Sequence, residues 1–188
     1  PRPGRRALVS GGGGVTVSGG EPLTQAEFTS ELLRRCKQEG IPTAMESNLS
    51  RPFEWLKLAL PYLDRLYCDI KLIDDAKHIQ YTGVSNWQTL TNIRLLRGCK
   101  IPLVVRTPMI PGISDTQENV AGIAAWLKEN ANVEAYELLN YNPLAQQKSE
   151  ELGRCYTLGE RKRKTKAEME ELRSAAARMG VPTIIGGE

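Results

Sequence analysis

Residues 11–22 combine residue types that suit the binding of a small charged ligand. They read Gly-Gly-Gly-Gly-Val-Thr-Val-Ser-Gly-Gly-Glu-Pro. Val15 and Val17 alternate with small or polar residues, so a short strand over residues 14–18 is predicted to end on two glycines and one carboxylate. Glycines carry no side chain, which lets a ligand approach the backbone N–H and C=O groups closely. The carboxylate of Glu21 on such a bare turn predicts a receptor for a positively charged group. Alone, Gly-Gly-Glu-Pro is a weak pattern, because glycine-rich strand ends are common in α/β proteins.

Other polar residues also fall where predicted strands end. In parallel sheets and barrels, ligands bind at the carboxyl edge, because loops from several strands converge there. Taken singly, each of these residues is better explained as a strand-end cap or a surface ion pair. Together, three acids, a lysine and an arginine on one rim suit a zwitterionic ligand. The clusters are Gly20-Glu21, Glu46-Ser47-Asn48, Asp69 with Lys71, Arg106, and Tyr141-Asn142.

The elements that must position these residues alternate along the chain. Apolar runs predict strands at 14–18, 41–46, 65–71, 101–107, 133–139 and 181–185, with helices at 24–39, 52–62, 74–81, 85–97, from 115, and 165–179. Strands spaced by about 25 to 35 residues with helices between them require parallel pairing and right-handed crossovers. The pattern predicts an α/β barrel or an open part of one.

Local signals refine two of the helices and their packing. Thr24 with Glu27, and Thr165 with Glu168, have the spacing of a capping box at a helix start. Phe28 is predicted to lie on the buried face of the first long helix. The three tryptophans fall in predicted helices and are expected to pack in the core or against the sheet, namely Trp55, Trp87 and Trp126.

Composition excludes several classes of protein. The 188 residues predict a single domain, and 25 Lys and Arg against 22 Asp and Glu leave a net charge of +3, too small to indicate nucleic-acid binding. No apolar run is long enough for a membrane span or a signal peptide, so we expect a cytoplasmic protein with no membrane partner. The four cysteines are isolated in sequence and predict free thiols in a reducing cytosol.

Several motifs, in this order, closely resemble those of the activating enzymes of glycyl radical enzymes. These are radical S-adenosylmethionine proteins of the pyruvate formate-lyase activase type. The resemblance runs from about residue 9 to the C-terminus and is specific to the family. The motifs are Gly-Gly-Val-Thr-Val-Ser-Gly-Gly-Glu-Pro-Leu-Thr-Gln at 13–25, Asp-Ile-Lys at 69–71, Gly-Val-Ser-Asn at 83–86, Val-Arg-Thr-Pro-Met-Ile-Pro-Gly at 105–112 and Leu-Asn-Tyr-Asn-Pro-Leu at 139–144.

The resemblance implies a partial parallel (β/α)6-type barrel, missing its first strand, that holds S-adenosylmethionine. The Gly-Gly-Glu turn would receive the methionyl ammonium. Further groups would contact the carboxylate, ribose and adenosyl group of the cofactor. The implied cofactor-binding residues are Gly19, Gly20, Glu21, Glu46, Ser47, Asn48, Asp69, Lys71, Arg106 and Asn142.

In some members a monovalent cation lies in this site, and the matching ligands here are Glu46, Ser47 and Asp69, with the Tyr67 carbonyl. Glu46-Ser47 replaces the commoner Asp-Thr, and the extra methylene moves that carboxylate by about an ångström or more. Asn142 stands where several members have His, so hydrogen bonding is retained without titration near neutral pH.

Members of this family bind a 4Fe-4S cluster through CxxxCxxC after the first strand, and the 188 residues contain no such motif. The chain is therefore interpreted as a truncated radical S-adenosylmethionine core over 1–188, with 1–8 as a disordered or altered lead-in, and as inactive alone. The whole enzyme would cleave S-adenosylmethionine reductively, with electrons from flavodoxin or ferredoxin, and generate a radical on a glycine of its partner enzyme. No catalytic acid, base or nucleophile is expected, because the cofactor supplies the chemistry.

Two other functions stay open at this point. One is a different α/β-barrel enzyme with a phosphate-type ligand at the glycines of 11–14, although a phosphate cradle normally follows a strand and opens a helix. The other is a non-catalytic binding module. His78 is interpreted as structural, and the basic run at 161–164 as a solvated loop.

Overall fold

The computed structural model describes residues 13–142 and 161–186, along which strands and helices alternate. The strands are β1 (Val15–Val17), β2 (Thr43–Ser47), β3 (Arg65–Asp69), β4 (Leu103–Met109), β5 (Ala135–Asn140) and β6 (Thr183–Gly186). The helices are α1 (Ala26–Gln38), α2 (Phe53–Ala59), α3 (Asp75–Thr82), α4 (Trp87–Leu95), α5 (Gln117–Asn130) and α6 (Lys166–Ala177). The expected lead-in at 1–8 lies outside the described residues.

The six strands form one parallel sheet in the order in which they occur along the chain. β1 and β6 are its two edges, so the sheet is not closed over the described residues. Right-handed connections between strands in sequential order place every crossover helix on the same side of the sheet. The predicted α/β class, parallel pairing and open barrel-like sheet are confirmed.

The two faces of this sheet differ because successive strand residues point in opposite directions. On the covered face, which packs against the helices, side chains are buried and mostly apolar. On the open face most are half-buried or exposed and several are charged, although Val104 and Ala135 are buried. The covered face includes Met45, Ser47, Leu66, Cys68, Val105, Thr107, Tyr136 and Leu138, and the open face includes Thr16, Glu46, Tyr67, Asp69, Arg106 and Glu137.

The predicted burial of Phe28 is wrong, since its side chain is 66% exposed. Helix α1 begins at Ala26 and buries Ala26, Thr29, Leu33 and Cys36, a stripe that leaves Phe28 on the outer side. Trp55 and Trp87 are also exposed, whereas Trp126 is partly buried against the core.

Capping signals were reliable at one helix and not at the other. Thr165 and Glu168 form the predicted capping box at the start of α6. Thr24 does not cap α1, because residues Pro22–Gln25 form a short 3-10 turn that Glu21 caps instead. The hydroxyl of Thr24 donates to the carbonyl of Glu21 at 2.7 Å.

Candidate functional site

The turn after β1 presents two bare backbone units at the carboxyl edge of the sheet. Gly19 has a φ of 135°, a conformation that side-chain-bearing residues rarely adopt. Gly20 does not have a positive φ, and a Cβ there would meet no atom within 4 Å. Both residues are exposed. Nothing among the described residues explains why position 20 lacks a side chain, whereas close approach of a ligand would.

Glu21 ties this turn to the end of β2. One oxygen of its carboxylate accepts hydrogen bonds from the Leu23 N–H at 3.0 Å and the Ser47 hydroxyl at 2.8 Å. The other oxygen accepts from the Asn48 N–H at 2.8 Å. Three donors hold the carboxylate in place, so Glu21 shapes the site as well as adding negative charge to it.

Glu46 and Ser47 are neighbours in β2 and point to opposite faces of the sheet. Ser47 is buried on the covered face, where its hydroxyl also accepts from the Leu49 N–H at 3.0 Å. Glu46 lies on the open face and accepts from the Ser18 hydroxyl at 2.9 Å. The side chain of Asn48 is used locally, since its Oδ1 accepts from the Ser50 N–H at 2.9 Å.

Arg106 lies between two carboxylates on the open face. Its Nη1 donates to Glu46 Oε1 at 3.0 Å, and its Nε lies 3.4 Å from Asp69 Oδ1. The guanidinium also lies over the ring of Tyr67, 5.1 Å from the centroid. Asp69 and Arg106 meet because β3 and β4 are adjacent strands in which these two residues are direct register partners. Lys71 completes the group, with its Nζ 3.6 Å from Asp69 Oδ2.

These contacts keep Glu46 and Arg106 in their charged forms. The pKa of Glu46 is lowered, chiefly because Arg106 donates a hydrogen bond to the carboxylate. The pKa of Arg106 is raised: burial opposes its charge, but the hydrogen bond to Glu46 and the nearby carboxylate of Asp69 outweigh that effect. Both groups are therefore charged at neutral pH. Asp69 Oδ1 and Arg106 Nε are nonetheless buried atoms without a hydrogen-bond partner among the described residues.

Three asparagines that the sequence analysis did not single out hold the loops around this group. Asn92 donates to the Leu49 and Arg51 carbonyls after β2. Asn86 donates to two carbonyls after β3, and Asn119 joins that loop to the one after β4. Only Asn86 carried a signal, as the last residue of the Gly-Val-Ser-Asn motif at 83–86. Buried amides can satisfy several backbone groups at once, which fixes such loops.

Asn142 is described as an exposed residue two positions after β5. Because Asn140 pairs with Met109 of β4, Asn142 lies at the same edge of the sheet as the other predicted site residues. Beyond it, Lys164 corrects the interpretation of 161–164 as a solvated loop. Its Nζ lies 2.8 Å from Asp115, a side chain that is almost fully buried.

The described cysteines do not fit an iron-sulfur cluster. Cys36 lies in α1, Cys68 in β3 and Cys99 before β4, and burial raises the pKa of the Cys68 thiol. Cys155 lies outside the described residues. Within 13–142 and 161–186, no three Cys, His, Asp or Glu residues come together as a metal site. His78 is also structural in character, with its Nδ1 2.7 Å from the Val84 carbonyl.

The alternative of a phosphate site at the glycines of 11–14 is weakened, because Gly14 has a structural explanation. A Cβ on Gly14 would lie 2.6 Å from the Pro42 carbonyl oxygen, so the close approach of the two chain segments accounts for this glycine. Gly11 and Gly12 lie outside the described residues. Across the described helices, none has the length and apolar composition needed to cross a membrane.

Comparison with known proteins agrees with the motif resemblance. The chain is 41% identical over 174 residues to the indoleacetate decarboxylase activating enzyme of Tractidigestivibacter scatoligenes, covering 92% of this chain and 55% of that protein. It is 36% identical over 156 residues to the pyruvate formate-lyase-activating enzyme of Staphylococcus aureus (strain USA300), covering 78% and 61%. The chain spans about half the length of the curated relatives that it matches.

A solved structure gives the same result for the fold. The crystal structure of a domain of the pyruvate-formate lyase-activating enzyme from Bacteroides vulgatus ATCC 8482 superposes with a TM-score of 0.77 at 27% identity, covering 93% of this chain and 99% of that one. Residues 5–124, more than half of the chain, match the family described as the radical SAM superfamily. The resemblance to glycyl radical enzyme activating enzymes is thereby confirmed, and the chain belongs to the radical SAM superfamily.

Proposed function

We propose that this chain is the S-adenosylmethionine-binding part of an activating enzyme that generates a radical on a glycine of a partner enzyme. Membership of the radical SAM superfamily implies S-adenosylmethionine and a 4Fe-4S cluster. Relatives named as activating enzymes support the more specific activity. The described cysteines do not supply the cluster ligands, so the proposal for this chain concerns the binding and orientation of S-adenosylmethionine.

The observation that carries the proposal is the gathering of opposite charges at one edge of the sheet. Glu21 joins the turn after β1 to the end of β2, and Arg106 joins β4 to Glu46 and Asp69. S-adenosylmethionine carries an ammonium, a carboxylate and a sulfonium, so it needs groups of both signs close together. Arg106 has N–H donors beyond the one that it uses on Glu46, and these support a ligand carboxylate at this position.

Each part of the site has a separate task in this proposal. The open backbone of Gly19 and Gly20, beside the negative charge of Glu21, receives the ammonium of the ligand. Arg106 uses its remaining N–H donors for the carboxylate, since a guanidinium has five. Asn142 and Lys71 supply further hydrogen bonds at the same edge, and Asn48 and Ser47 fix the loop around the ligand. Bound S-adenosylmethionine would supply a 5′-deoxyadenosyl radical for hydrogen abstraction, because one-electron reduction would break its C5′–sulfur bond and release methionine.

The remaining assignments extend this proposal. The protein substrate would be a glycyl radical enzyme, in line with the relatives named as activating enzymes. The electron donor would be a flavodoxin or ferredoxin, and the compartment the cytoplasm. We retain the prediction that residues 1–188 form one domain and act only as part of the whole enzyme. A monovalent cation at Glu46, Ser47 and Asp69 was also predicted, but it has less support, because these side chains lie on both faces of the sheet.

Two glycine substitutions test the binding of S-adenosylmethionine. Equilibrium dialysis with radiolabelled S-adenosylmethionine should give saturable binding to the chain. Gly20→Ala should weaken that affinity by about tenfold or more, because a methyl group on the turn blocks the backbone. Its melting temperature should stay unchanged, since a Cβ at position 20 meets no protein atom within 4 Å.

Gly98→Ala is the matched control. Position 98 also has open space around an added methyl group and an ordinary φ, but it lies in a short 3-10 helix before β4. This variant should bind S-adenosylmethionine like the wild type. Absence of saturable binding, or equal affinity of Gly20→Ala and the wild type, would contradict the proposed function.

A further inference from the structure

The side chains of the three residues expected to bind a monovalent cation, together with the Tyr67 carbonyl, do not converge on one point. The side chain of Ser47 lies on the covered face, where its hydroxyl donates to Glu21 and accepts from the Leu49 N–H. The carboxylates of Glu46 and Asp69 lie on the open face. A cation between the two carboxylates could not also contact the Ser47 hydroxyl, because consecutive strand residues point to opposite sides of the sheet.

Arg106 already occupies the space between the two carboxylates. Its Nη1 lies 3.0 Å from Glu46, and its Nε lies 3.4 Å from Asp69. The ring of Tyr67 supports the guanidinium from one side at 5.1 Å. A sodium or potassium ion at the same place would lie beside this fixed positive charge and would be repelled by it.

The length of Glu46 makes the contact with Arg106 possible. Its Oε2 is fixed by the Ser18 hydroxyl at 2.9 Å, which aims Oε1 at the guanidinium. An aspartate at this position would withdraw the carboxylate by roughly one C–C bond, about 1.5 Å, and the hydrogen bond would be lost. The carboxylate would then be left without its guanidinium partner.

We propose that the guanidinium of Arg106, held between Glu46 and Asp69, replaces a monovalent cation in this site. Arg106 and Lys71 together then balance the charges of the two carboxylates, and Arg106 keeps N–H donors for a ligand carboxylate, so the site needs no added metal ion. The proposal rests on the proposed function only for the identity of the ligand. Its experiment contains no S-adenosylmethionine, so the two proposals can fail independently.

The experiment compares the thermal unfolding of the purified chain in sodium, potassium and tetramethylammonium chloride at one ionic strength. Tetramethylammonium is too large for a site between two carboxylates. The wild type should have the same melting temperature in all three salts. In Arg106→Gln the two carboxylates lose their guanidinium, and saturating sodium or potassium should raise the melting temperature by about 3 °C or more relative to tetramethylammonium.

Further variants keep the test decisive if Arg106→Gln does not fold. Arg106→Met, which also removes the positive charge, should become responsive to sodium or potassium, whereas Arg106→Lys and Glu46→Asp should stay unresponsive because a positive charge remains at Asp69. Arg65→Gln is the matched control, since Arg65 pairs with Glu134 at 2.7 Å but has no second carboxylate in that ion pair. It should give equal melting temperatures in all three salts.

Sodium NMR linewidths give a direct measure of cation binding in the same samples. Broadening that appears in Arg106→Gln or Arg106→Met and is absent from the wild type would support the proposal. A sodium- or potassium-specific stabilisation of the wild type would overturn it. So would the absence of any cation response in both Arg106→Gln and Arg106→Met.

Discussion

The covered and open faces of the sheet are built from the same strands, yet polar groups behave differently on them. On the covered face, Thr107 donates to the Ile70 carbonyl at 2.6 Å and lies 2.9 Å from the Tyr136 hydroxyl, so these polar groups satisfy one another. On the open face, Arg106 Nε and Asp69 Oδ1 lie 3.4 Å apart without forming a hydrogen bond. The polar groups of the covered face thus satisfy one another, whereas Arg106 on the open face has N–H donors left for a ligand.

The largest effect should come from a charge placed on the covered face. Leu66 has no exposed surface, and Leu66→Asp should lower the free energy of unfolding by roughly 4 kcal/mol or more, because an unpaired carboxylate would be buried. Tyr67→Asp, at the next residue and on the open face, should lower the free energy of unfolding by less than half as much. Urea denaturation followed by circular dichroism measures both. Equal losses would mean that the two faces are not distinct.

A smaller effect should follow from removing one polar group of the covered face. Thr107→Val should cost roughly 1–3 kcal/mol, because the Ile70 carbonyl and the Tyr136 hydroxyl lose their shared partner. Thr16→Val on the open face should change stability by less than about 0.5 kcal/mol, since the side chain is exposed. The double variant Thr107→Val, Tyr136→Phe should cost less than the sum of its parts. Strict additivity would contradict the shared hydrogen bond.

The smallest effect concerns the pH dependence of the open face. The folded-state pKa of Glu46 is lowered by Arg106, so the pair stabilises the fold above the unfolded-state value of about 4.3 and loses this contribution as the pH falls through the folded-state pKa. The contribution should be below about 1 kcal/mol, because the Glu46 side chain is 34% exposed. Wild type and Glu46→Gln should therefore differ in stability at pH 6 and converge towards pH 3. Parallel curves would argue against a stabilising pair.

The position of the site could be predicted from the sequence, because parallel strands bring their carboxyl ends to one edge whatever their loops contain. Glu21, Glu46, Asp69 and Arg106 indeed lie along that edge. The partners of each side chain could not be predicted. The contact of Glu21 with Asn48 spans 27 residues and depends on how the turn after β1 meets the end of β2.

The sequence pattern already places the side chains of Glu46 and Ser47 on opposite faces, and this was missed. Glu46 and Ser47 are consecutive residues of a strand, so alternation alone places them on opposite faces and separates two of the expected cation ligands. The error at Phe28 has a different cause. Each residue turns a helix by about 100°, so Phe28, five positions before Leu33, lies about 140° around the helix from it and cannot share its buried face.

The hydrogen bonds of Glu21 to Ser47 and Asn48 also have a consequence for how this chain can tolerate change. They hold the carboxyl ends of β1 and β2 together, whereas the loop between α1 and β2, at Glu39 and Gly40, is exposed. Extra residues inserted in that loop would extend into solvent and leave the hydrogen bonds of Glu21 intact. The length of this connection can therefore vary, whereas the glutamate at position 21 cannot.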